Sequence, residues 1–273
     1  QATIERIQPL DAEAQEAARR RQDALTKPRG SMGRLEALSI QIAGIRRQAL
    51  PQIEHKVIIT MAGDHGVVAE GVSAYPQEVT QQMVQSFLRG GAAINVLARH
   101  VGARVVVVDV GVAAQLAPHP DLMIMKVAPG TENIARGPAM SREQAILALL
   151  AGIRVVDREV AAGLDIVGTG DMGIGNTTPS AAIAAAITGF SAAELCGRGT
   201  GVDDQGLARK IDAVQRALAV NRPDPQDALD VFVGQRLTAV LHHRAHEMER
   251  VAQQVIGEHL QALPFQVIGD IRP

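Results

Sequence analysis

Short apolar runs alternate with helical patterns through the middle of the chain. Four runs rich in Val, Ile and Met predict buried strands, at residues 57–61, 105–110, 123–127 and 164–167. Helical patterns fill the intervals, at residues 79–88, 92–100 and 141–162. The last helix begins with a capping box, in which Ser141 is followed by Gln144. Nearly continuous apolar strands, each followed by a helix, indicate a parallel sheet covered by helices on both faces.

The two ends of the chain differ from this middle part. Polar helical patterns over 12–26 and 34–49 precede the first strand, and from Val231 onward the chain is rich in His, Gln and Glu. We therefore predict a small helical region, an α/β domain and a divergent tail, at 1–50, 51–230 and 231–273. The predicted fold class is α/β, with a Rossmann-like parallel sheet flanked by helices. A small helical accessory domain comes from the N-terminal segment, with or without the C-terminal one.

Two histidines of the tail have a spacing that metal ligands use. His242 and His246 lie four residues apart, with Glu249 one helical turn further on. The chain has no His-Glu-x-x-His motif, however, and histidines on a polar helix surface are commoner than metal ligands. We therefore predict no metal site.

Composition excludes several classes of partner. A net charge of −2 and a pI near 6.5 give no basic surface for nucleic acid or for an anionic membrane. The single cysteine, Cys196, rules out an internal disulfide and fits a reducing cytoplasm. No uncharged run reaches transmembrane length, and no apolar signal region precedes the first helix. Aromatic residues make up 2% of the chain, so aliphatic side chains must form most of any pocket for a flat ring.

The strongest functional signal lies at residues 164–180. The apolar run leads into four glycines, which are followed by three polar residues and an alanine-rich helix over 180–187; the glycines and polar residues are Gly168, Gly170, Gly173, Gly175, Asn176, Thr177 and Thr178. A strand, a glycine loop and a helix N-terminus form an anion site, because backbone N–H groups can approach the ligand and the helix dipole favours negative charge. A plain tight turn is the alternative, since no Lys–Ser/Thr pair makes this a P-loop. The Asp171 carboxylate would repel a phosphate, so we expect it to face another part of the ligand.

Ligands of parallel α/β sheets bind beyond the carboxyl ends of the strands. That rule places four side chains near one edge of the sheet: His65, Ser73, Asp109 and Asp171. A second glycine cluster over 196–210 carries Arg198 and Lys210, which are able to supply positive charge to a phosphate. The alternative for this cluster is a surface loop with a solvated lysine.

Seven motifs, in order along the chain, resemble one family. They are LTKPRGSMGRLE at 25–36, MAGDHGV at 61–67, GVSAYPQEVTQQMV at 71–84, GGAAIN at 90–95, VDVG at 108–111, MGIGNTTP at 172–179 and GTGVDD at 199–204. Together they resemble the nicotinate-nucleotide:dimethylbenzimidazole phosphoribosyltransferases of cobalamin lower-ligand synthesis. The resemblance covers roughly residues 20–230.

The resemblance implies a reaction and a set of site residues. A 5-phosphoribosyl group would pass from nicotinate mononucleotide to 5,6-dimethylbenzimidazole, giving α-ribazole 5′-phosphate and nicotinate, with no cofactor. The resemblance assigns the nucleotide phosphate to Lys210 and to the glycine loop, at Gly173, Ile174, Gly175, Asn176 and Thr177. It assigns the acceptor base to Ser73, Tyr75 and Gln81. It also implies a homodimer whose partners are small-molecule substrates, while the composition predicts a cytoplasmic protein with no nucleic-acid or membrane partner.

The sequence departs from the family pattern in two places. Asp171 stands where the family usually has glutamate, and the family's C-terminal Arg-Leu-Gly-Glu-Gly-Thr-Gly segment, whose glutamate is taken as the general base, has no counterpart in this sequence. We therefore expect Asp171 to be the catalytic carboxylate, and transfer to be slower than in full-length relatives by about 10²- to 10⁴-fold.

Two other functions compete with this one. A catalytically silent homologue that binds the nucleotide or the benzimidazole, as a sensor, carrier or enzyme partner, is the alternative. An NAD-dependent oxidoreductase is disfavoured, because the first strand ends in Gly63-Asp-His-Gly and not in Gly-x-Gly-x-x-Gly.

Overall fold

The computed structural model of the protein describes residues 7–235, which divide into two compact units between residues 54 and 55 of the chain. The first unit contains helices α1 (Ala12–Ala24) and α2 (Arg34–Arg46). The side chain of Asp11 caps α1 by accepting the N–H of Ala14 at 2.8 Å. Helix α2 ends three residues earlier than predicted, because Arg47 adopts the left-handed conformation with φ of 54°.

The second unit is built on a parallel sheet of four strands, which lie in the order β3–β2–β1–β4. The strands are β1 (Lys56–Gly63), β2 (Ala103–Gly111), β3 (Leu122–Ile124) and β4 (Ile166–Met172). The helices are α3 (Val79–Leu88), α4 (Ala93–His100), α5 (Arg142–Ala161), α6 (Thr177–Thr188), α7 (Ala192–Leu195), α8 (Asp204–Asn221) and α9 (Ala228–Gln235). A short 3-10 helix, Gly66–Glu70, follows β1.

Apolar side chains of the strands pack on both faces of the sheet. On one face, Val108 of β2 lies in a buried cluster with Val155 of α5. On the other face, the next residue back, Val107, packs in a cluster with Val84 and Phe87 of α3. Successive residues of a strand point to opposite faces, so this alternation confirms the predicted α/β fold with helices flanking a parallel sheet.

The fourth strand and the helix after it differ from the prediction. The strand runs through the glycines as far as Met172, with Gly168 and Gly170 paired in register with β1. A Cβ on Gly168 would lie 2.7 Å from Cδ1 of Ile58, so this glycine leaves room for that side chain and does not form a turn. Within the described residues β4 is an edge strand and Ile166 is 46% exposed, so the expected burial on both faces fails there.

Helix α6 begins at Thr177, three residues before the predicted start. Pro179 fits inside its first turn because the N–H groups of that turn have no partner within the helix. The capping box of α5 is confirmed, since Ser141 accepts the N–H of Gln144 at 3.1 Å and the Gln144 side chain accepts the N–H of Ser141 at 2.9 Å.

The predicted boundaries at residues 50 and 230 stay predictions. Most of the predicted tail lies outside the described residues, and so do His242, His246 and Glu249. No helix within residues 7–235 is long and apolar enough to cross a membrane.

A candidate anion site at the carboxyl end of the sheet

The strand order reverses direction between β1 and β4. From β1 the sheet grows through β2 to β3 on one side, whereas β4 is added on the other side. The carboxyl ends of β1 and β4 are level, because Ala62 is paired with Met172. Such a reversal leaves a crevice above the strand ends, which is where ligands bind in open α/β sheets.

The segment Gly173–Asn176, called here the glycine loop, is pressed against the residues that follow β1. A Cβ on Gly173 would lie 2.2 Å from the carbonyl oxygen of Gly63 and 2.8 Å from Nε2 of His65. Gly175 has a φ of +84°, and a Cβ there would lie 2.8 Å from Val68. Gly173 is therefore required by the close approach of its backbone to that of Gly63, whereas Gly175 is required by its left-handed conformation and by its packing on the side chain of Val68.

Several backbone amides of the glycine loop and the helix start are bonded within the protein. Ile174 N–H donates to the hydroxyl of Thr80 at 3.0 Å, and the N–H groups of Asn176 and Thr178 donate to carbonyls of the loop, both at 3.0 Å. These bonds fix the conformation in which the loop enters α6. They also mean that a ligand would have to use other donors at the start of the helix.

Asp171 lies at the end of β4 and contacts the glycine loop directly. The side-chain amide of Asn176 donates to Oδ2 of Asp171 at 2.6 Å. The carboxylate is therefore held beside the loop, at the edge of the sheet where the sequence predicted it. Its catalytic role stays a prediction.

Lys210 of α8 is buried beside the start of α6. Its ammonium group donates to the hydroxyl of Thr177 at 2.6 Å and to the carbonyl of Gly197 at 2.9 Å, and the residue is 1% exposed. Burial lowers the pKa of Lys210, whereas the nearby Cys196 raises it. The alternative of a solvated surface lysine is wrong. Arg198, its predicted companion, instead pairs with Asp204.

The two glycine clusters predicted separately meet in the structure. A Cβ on Gly199 would lie 3.0 Å from the hydroxyl of Thr177 and 3.3 Å from the ammonium of Lys210. The next residue, Thr200, accepts the N–H of Ala74 at 3.1 Å and lies 3.2 Å from the hydroxyl of Ser73. Thr200 therefore joins the two glycine clusters to the segment that carries Ser73, a link that sequence reasoning missed.

The remaining predicted acceptor residues lie on the same segment. The N–H of Tyr75 donates to the hydroxyl of Ser73 at 3.2 Å, and Tyr75 itself is 54% exposed. Gln81 is half-buried in α3. An exposed tyrosine ring in a chain with few aromatic residues is available to a ligand.

The acidic residues at the ends of β1 and β2 are buried, and each accepts a backbone N–H. Asp109 accepts the N–H of Val112 at 2.8 Å and lies 3.2 Å from the ammonium of Lys126. Asp64 accepts the N–H of Ala113 at 2.8 Å. The sequence singled out Asp109 but not Asp64 or Lys126, because the pairing of an aspartate with a lysine 17 positions along the chain leaves no local pattern.

Glu70 was also missed by sequence reasoning. Its carboxylate accepts from Asn133 at 2.6 Å, from Arg136 at 3.0 Å and from Arg216 at 2.9 Å. The hydrogen bond from Asn133, followed by those from the two arginines, holds the pKa of Glu70 below its usual range despite its burial. Glu70 thereby ties the 3-10 helix under the glycine loop to α8, which carries Lys210.

These features define an α/β protein with a candidate anion site at the reversal of its sheet, and comparisons with known proteins give its family. A sequence model of the family described as "Phosphoribosyltransferase" matches residues 7–241. The chain is 61% identical over 230 residues to the nicotinate-nucleotide–dimethylbenzimidazole phosphoribosyltransferase of Roseiflexus sp. (strain RS-1), covering 84% of this chain and 65% of that protein. It is 53% identical over 269 residues to the protein of the same name from Roseiflexus castenholzii, covering 98% and 74%.

Solved structures give the same result. The crystal structure of CobT from Thermus thermophilus superposes on this chain with a TM-score of 0.78, covering 82% of this chain and 67% of that one. The two sequences are 49% identical. The chain thus belongs to the nicotinate-nucleotide–dimethylbenzimidazole phosphoribosyltransferase family. It spans between 65% and 74% of the length of the two Roseiflexus relatives.

The packing of the glycine loop predicts how much stability is lost when a single methyl group is added at Gly175. Gly175→Ala should lower the free energy of unfolding by about 2–5 kcal/mol, because left-handed backbone costs a non-glycine residue about 1–2 kcal/mol and overpacking against Val68 about 1–3 kcal/mol more. Gly189→Ala is the matched control, since Gly189 has a φ of +72° and nothing within 4 Å of the added Cβ. Urea unfolding of both variants measures the difference, and equal costs would contradict the close approach at Gly175.

Proposed function

We propose that the protein transfers the 5-phosphoribosyl group of nicotinate mononucleotide to 5,6-dimethylbenzimidazole, giving α-ribazole 5′-phosphate and nicotinate. One observation carries the proposal. The segments that the family resemblance assigns to the two substrates meet, because Thr200 bonds the segment of Ser73 while its neighbour Gly199 packs on Thr177 and Lys210. A transferase must hold both substrates side by side, so this contact supports transfer over the binding of one ligand alone.

The nucleotide phosphate would bind at the start of α6. The N–H groups of Gly175 and Thr177 are the candidate donors, because the neighbouring amides are bonded within the protein. The dipole of this 12-residue helix favours an anion at its N-terminus. Lys210 adds positive charge through its hydrogen bond to Thr177, from a position that water does not reach.

The acceptor base would bind against the segment of Ser73, Tyr75 and Gln81. A benzimidazole has two flat faces and two ring nitrogens, so it needs a surface to stack on and a few polar contacts. The Tyr75 ring offers an exposed face, and the hydroxyl of Ser73 and the amide of Gln81 offer polar contacts.

The chemistry needs positioning and one base. A ring nitrogen of the acceptor attacks the anomeric carbon of the ribose while the bond from that carbon to the nicotinate nitrogen breaks. Nicotinate leaves as a neutral pyridine ring, so its departure requires no acid, whereas the acceptor must lose its N–H proton to a base. Asp171, held beside the glycine loop by Asn176, is the carboxylate that we assign to this role.

The direct test is an assay with both substrates, read for α-ribazole 5′-phosphate by chromatography and mass spectrometry. We expect formation of this product to depend on both substrates. Thermal-shift titrations with each substrate alone accompany the assay. Binding of either substrate without turnover would contradict the transferase and favour the silent homologue, and binding of neither would contradict the site itself. We further propose that the protein is a homodimer, from the resemblance, and cytoplasmic, from its single cysteine.

Tyr75→Ala should weaken the binding of dimethylbenzimidazole about 3- to 10-fold, the worth of one aromatic contact. The dissociation constant of nicotinate mononucleotide should stay unchanged, because Tyr75 lies on the acceptor segment. Isothermal titration with each substrate measures both constants. Equal weakening of both substrates would indicate misfolding and contradict the assignment of Tyr75.

Lys210→Ala should raise the dissociation constant of nicotinate mononucleotide about 10- to 100-fold, because it removes the buried positive charge behind Thr177, and two unit charges about 6 Å apart at an effective dielectric constant of about 20 interact by about 2.8 kcal/mol. Most of the loss should persist at 0.5 M salt, because a buried charge is weakly screened. Lys56→Ala is the control, since Lys56 also donates to a backbone carbonyl, that of Val101, but at the amino end of β1. Similar affinities in the two variants would leave Lys210 a purely structural residue.

Asp171→Asn should lower kcat about 10²- to 10⁴-fold, the usual contribution of a general base, while nucleotide affinity changes little. The asparagine keeps an oxygen able to accept from Asn176, so the position of the glycine loop should survive. Asp157→Asn, at an exposed position of α5, is the control. Turnover that is insensitive to Asp171→Asn would assign the base to another group.

A further inference from the structure

A second carboxylate, that of Asp64, belongs to the residue after Gly63, against which the glycine loop packs, and it has no role in the transfer described above. It comes directly after β1 and is 3% exposed. We propose that Asp64 is a positioning residue, which holds the glycine loop in place by orienting the hydroxyl of Thr80. The inference deepens the proposed function, since it names what sets the shape of the proposed nucleotide site.

The argument begins with the bond between Thr80 and the glycine loop. Thr80 is fully buried in the first turn of α3, and its hydroxyl oxygen accepts the N–H of Ile174 at 3.0 Å. A hydroxyl has a single hydrogen, and while the oxygen accepts from Ile174 that hydrogen must point to another acceptor. The orientation of this one hydrogen therefore decides whether a lone pair faces the loop.

The carboxyl of Asp64 is placed to receive that hydrogen. Its Oδ2 accepts the N–H of Ala113 at 2.8 Å, which fixes one side of the group. Its Oδ1 is buried and makes no hydrogen bond within 3.5 Å among residues 7–235. The side chains of Thr80 and Gln77 are nevertheless near enough to lower the pKa of the carboxyl. If the side chains of Asp64 and Thr80 moved slightly closer, the hydroxyl of Thr80 would donate its hydrogen to Oδ1 of Asp64.

The surroundings of Asp64 make its ionised carboxylate unfavourable for the free energy of folding. Burial raises the pKa of Asp64, the Ala113 N–H and the two polar side chains oppose the rise, and the negative charge of Asp109 adds to it. Lys126 lies 3.2 Å from Asp109 and pairs with that carboxylate. A buried carboxylate that is costly for stability needs another reason to be present, and the bond between Thr80 and the glycine loop supplies one.

The sign of the stability effect separates a positioning role from a structural one. The folded-state pKa of Asp64 lies above its unfolded value, so the folded chain binds more protons between the two values. Its contribution to stability is therefore lost as pH rises from the usual aspartate value of about 4 through the raised value. Removing the charge by Asp64→Asn should leave the protein as stable as the parent or more stable at pH 7.5, with a smaller difference at pH 4.5.

The experiment first measures amide hydrogen exchange in the glycine loop without a ligand, and then the affinity of the protein for the nucleotide. Amide hydrogen exchange of Ile174, followed by NMR, should speed up at least 10-fold in Thr80→Val and Asp64→Asn, and should stay near the parent rate in Thr80→Ser, which keeps the hydroxyl. The dissociation constant of nicotinate mononucleotide should rise at least 10-fold in the first two variants only. Thr60→Val, the same substitution at a buried threonine in the middle of β1, is the control.

Each outcome decides the proposal. An unchanged rate of exchange at Ile174 in Asp64→Asn would overturn it. If the parent binds the nucleotide, faster exchange in Asp64→Asn without a change in nucleotide affinity would also overturn it. A loss of stability in Asp64→Asn equal to that in Thr80→Val would also overturn it, by giving Asp64 an ordinary structural role. If Asp64→Asn does not fold, the proposal fails on the same ground. A parent that does not bind the nucleotide refutes the proposed function, while exchange at Ile174 still decides the link from Asp64 to the loop.

Discussion

The close approach of the glycine loop to the end of β1 is the constraint on which the rest of the site depends. The backbone at Gly173 touches the carbonyl of Gly63, and Gly175 adopts a conformation open to glycine while touching Val68. Because no side chain separates these backbones, the start of α6 is fixed relative to the carboxyl ends of two strands. A helix N-terminus fixed in this way is a preorganised anion site, which spends no binding energy on ordering a loop.

Buried charges at this edge are arranged around that contact. Lys210 supports the start of α6 from one side, where the hydroxyl of Thr177 and the carbonyl of Gly197 accept hydrogen bonds from its ammonium group. Glu70, with its three donors, ties the 3-10 helix below the loop to the helix that carries Lys210. The pair of Asp109 and Lys126 lies on the far side, at the end of β2. Side chains that are each costly to bury are thus satisfied by neighbours, as buried charge requires.

The elements of the fold could largely be predicted from the sequence, and their contacts could not. Helix α3 begins and ends where its periodicity places it, because its apolar residues meet one buried face. Strand β4 was predicted too short, because glycines were interpreted as a turn when they allow close packing on β1. Thr200 and Ser73 are 127 residues apart, and Thr80 and Ile174 are 94 apart. Nothing local in the sequence indicates such pairs, whereas the glycine pattern and the family motifs did indicate the loops on which they lie.

The central claim is that the start of α6, preceded by the glycine loop, binds the phosphate of the nucleotide. A crystal structure of the protein with nicotinate mononucleotide tests it most directly. The account predicts phosphate oxygens about 3 Å from the N–H groups of Gly175 and Thr177, with Lys210 still bonded to Thr177. A phosphate bound at another place in the crevice, with the start of α6 unoccupied, would contradict it.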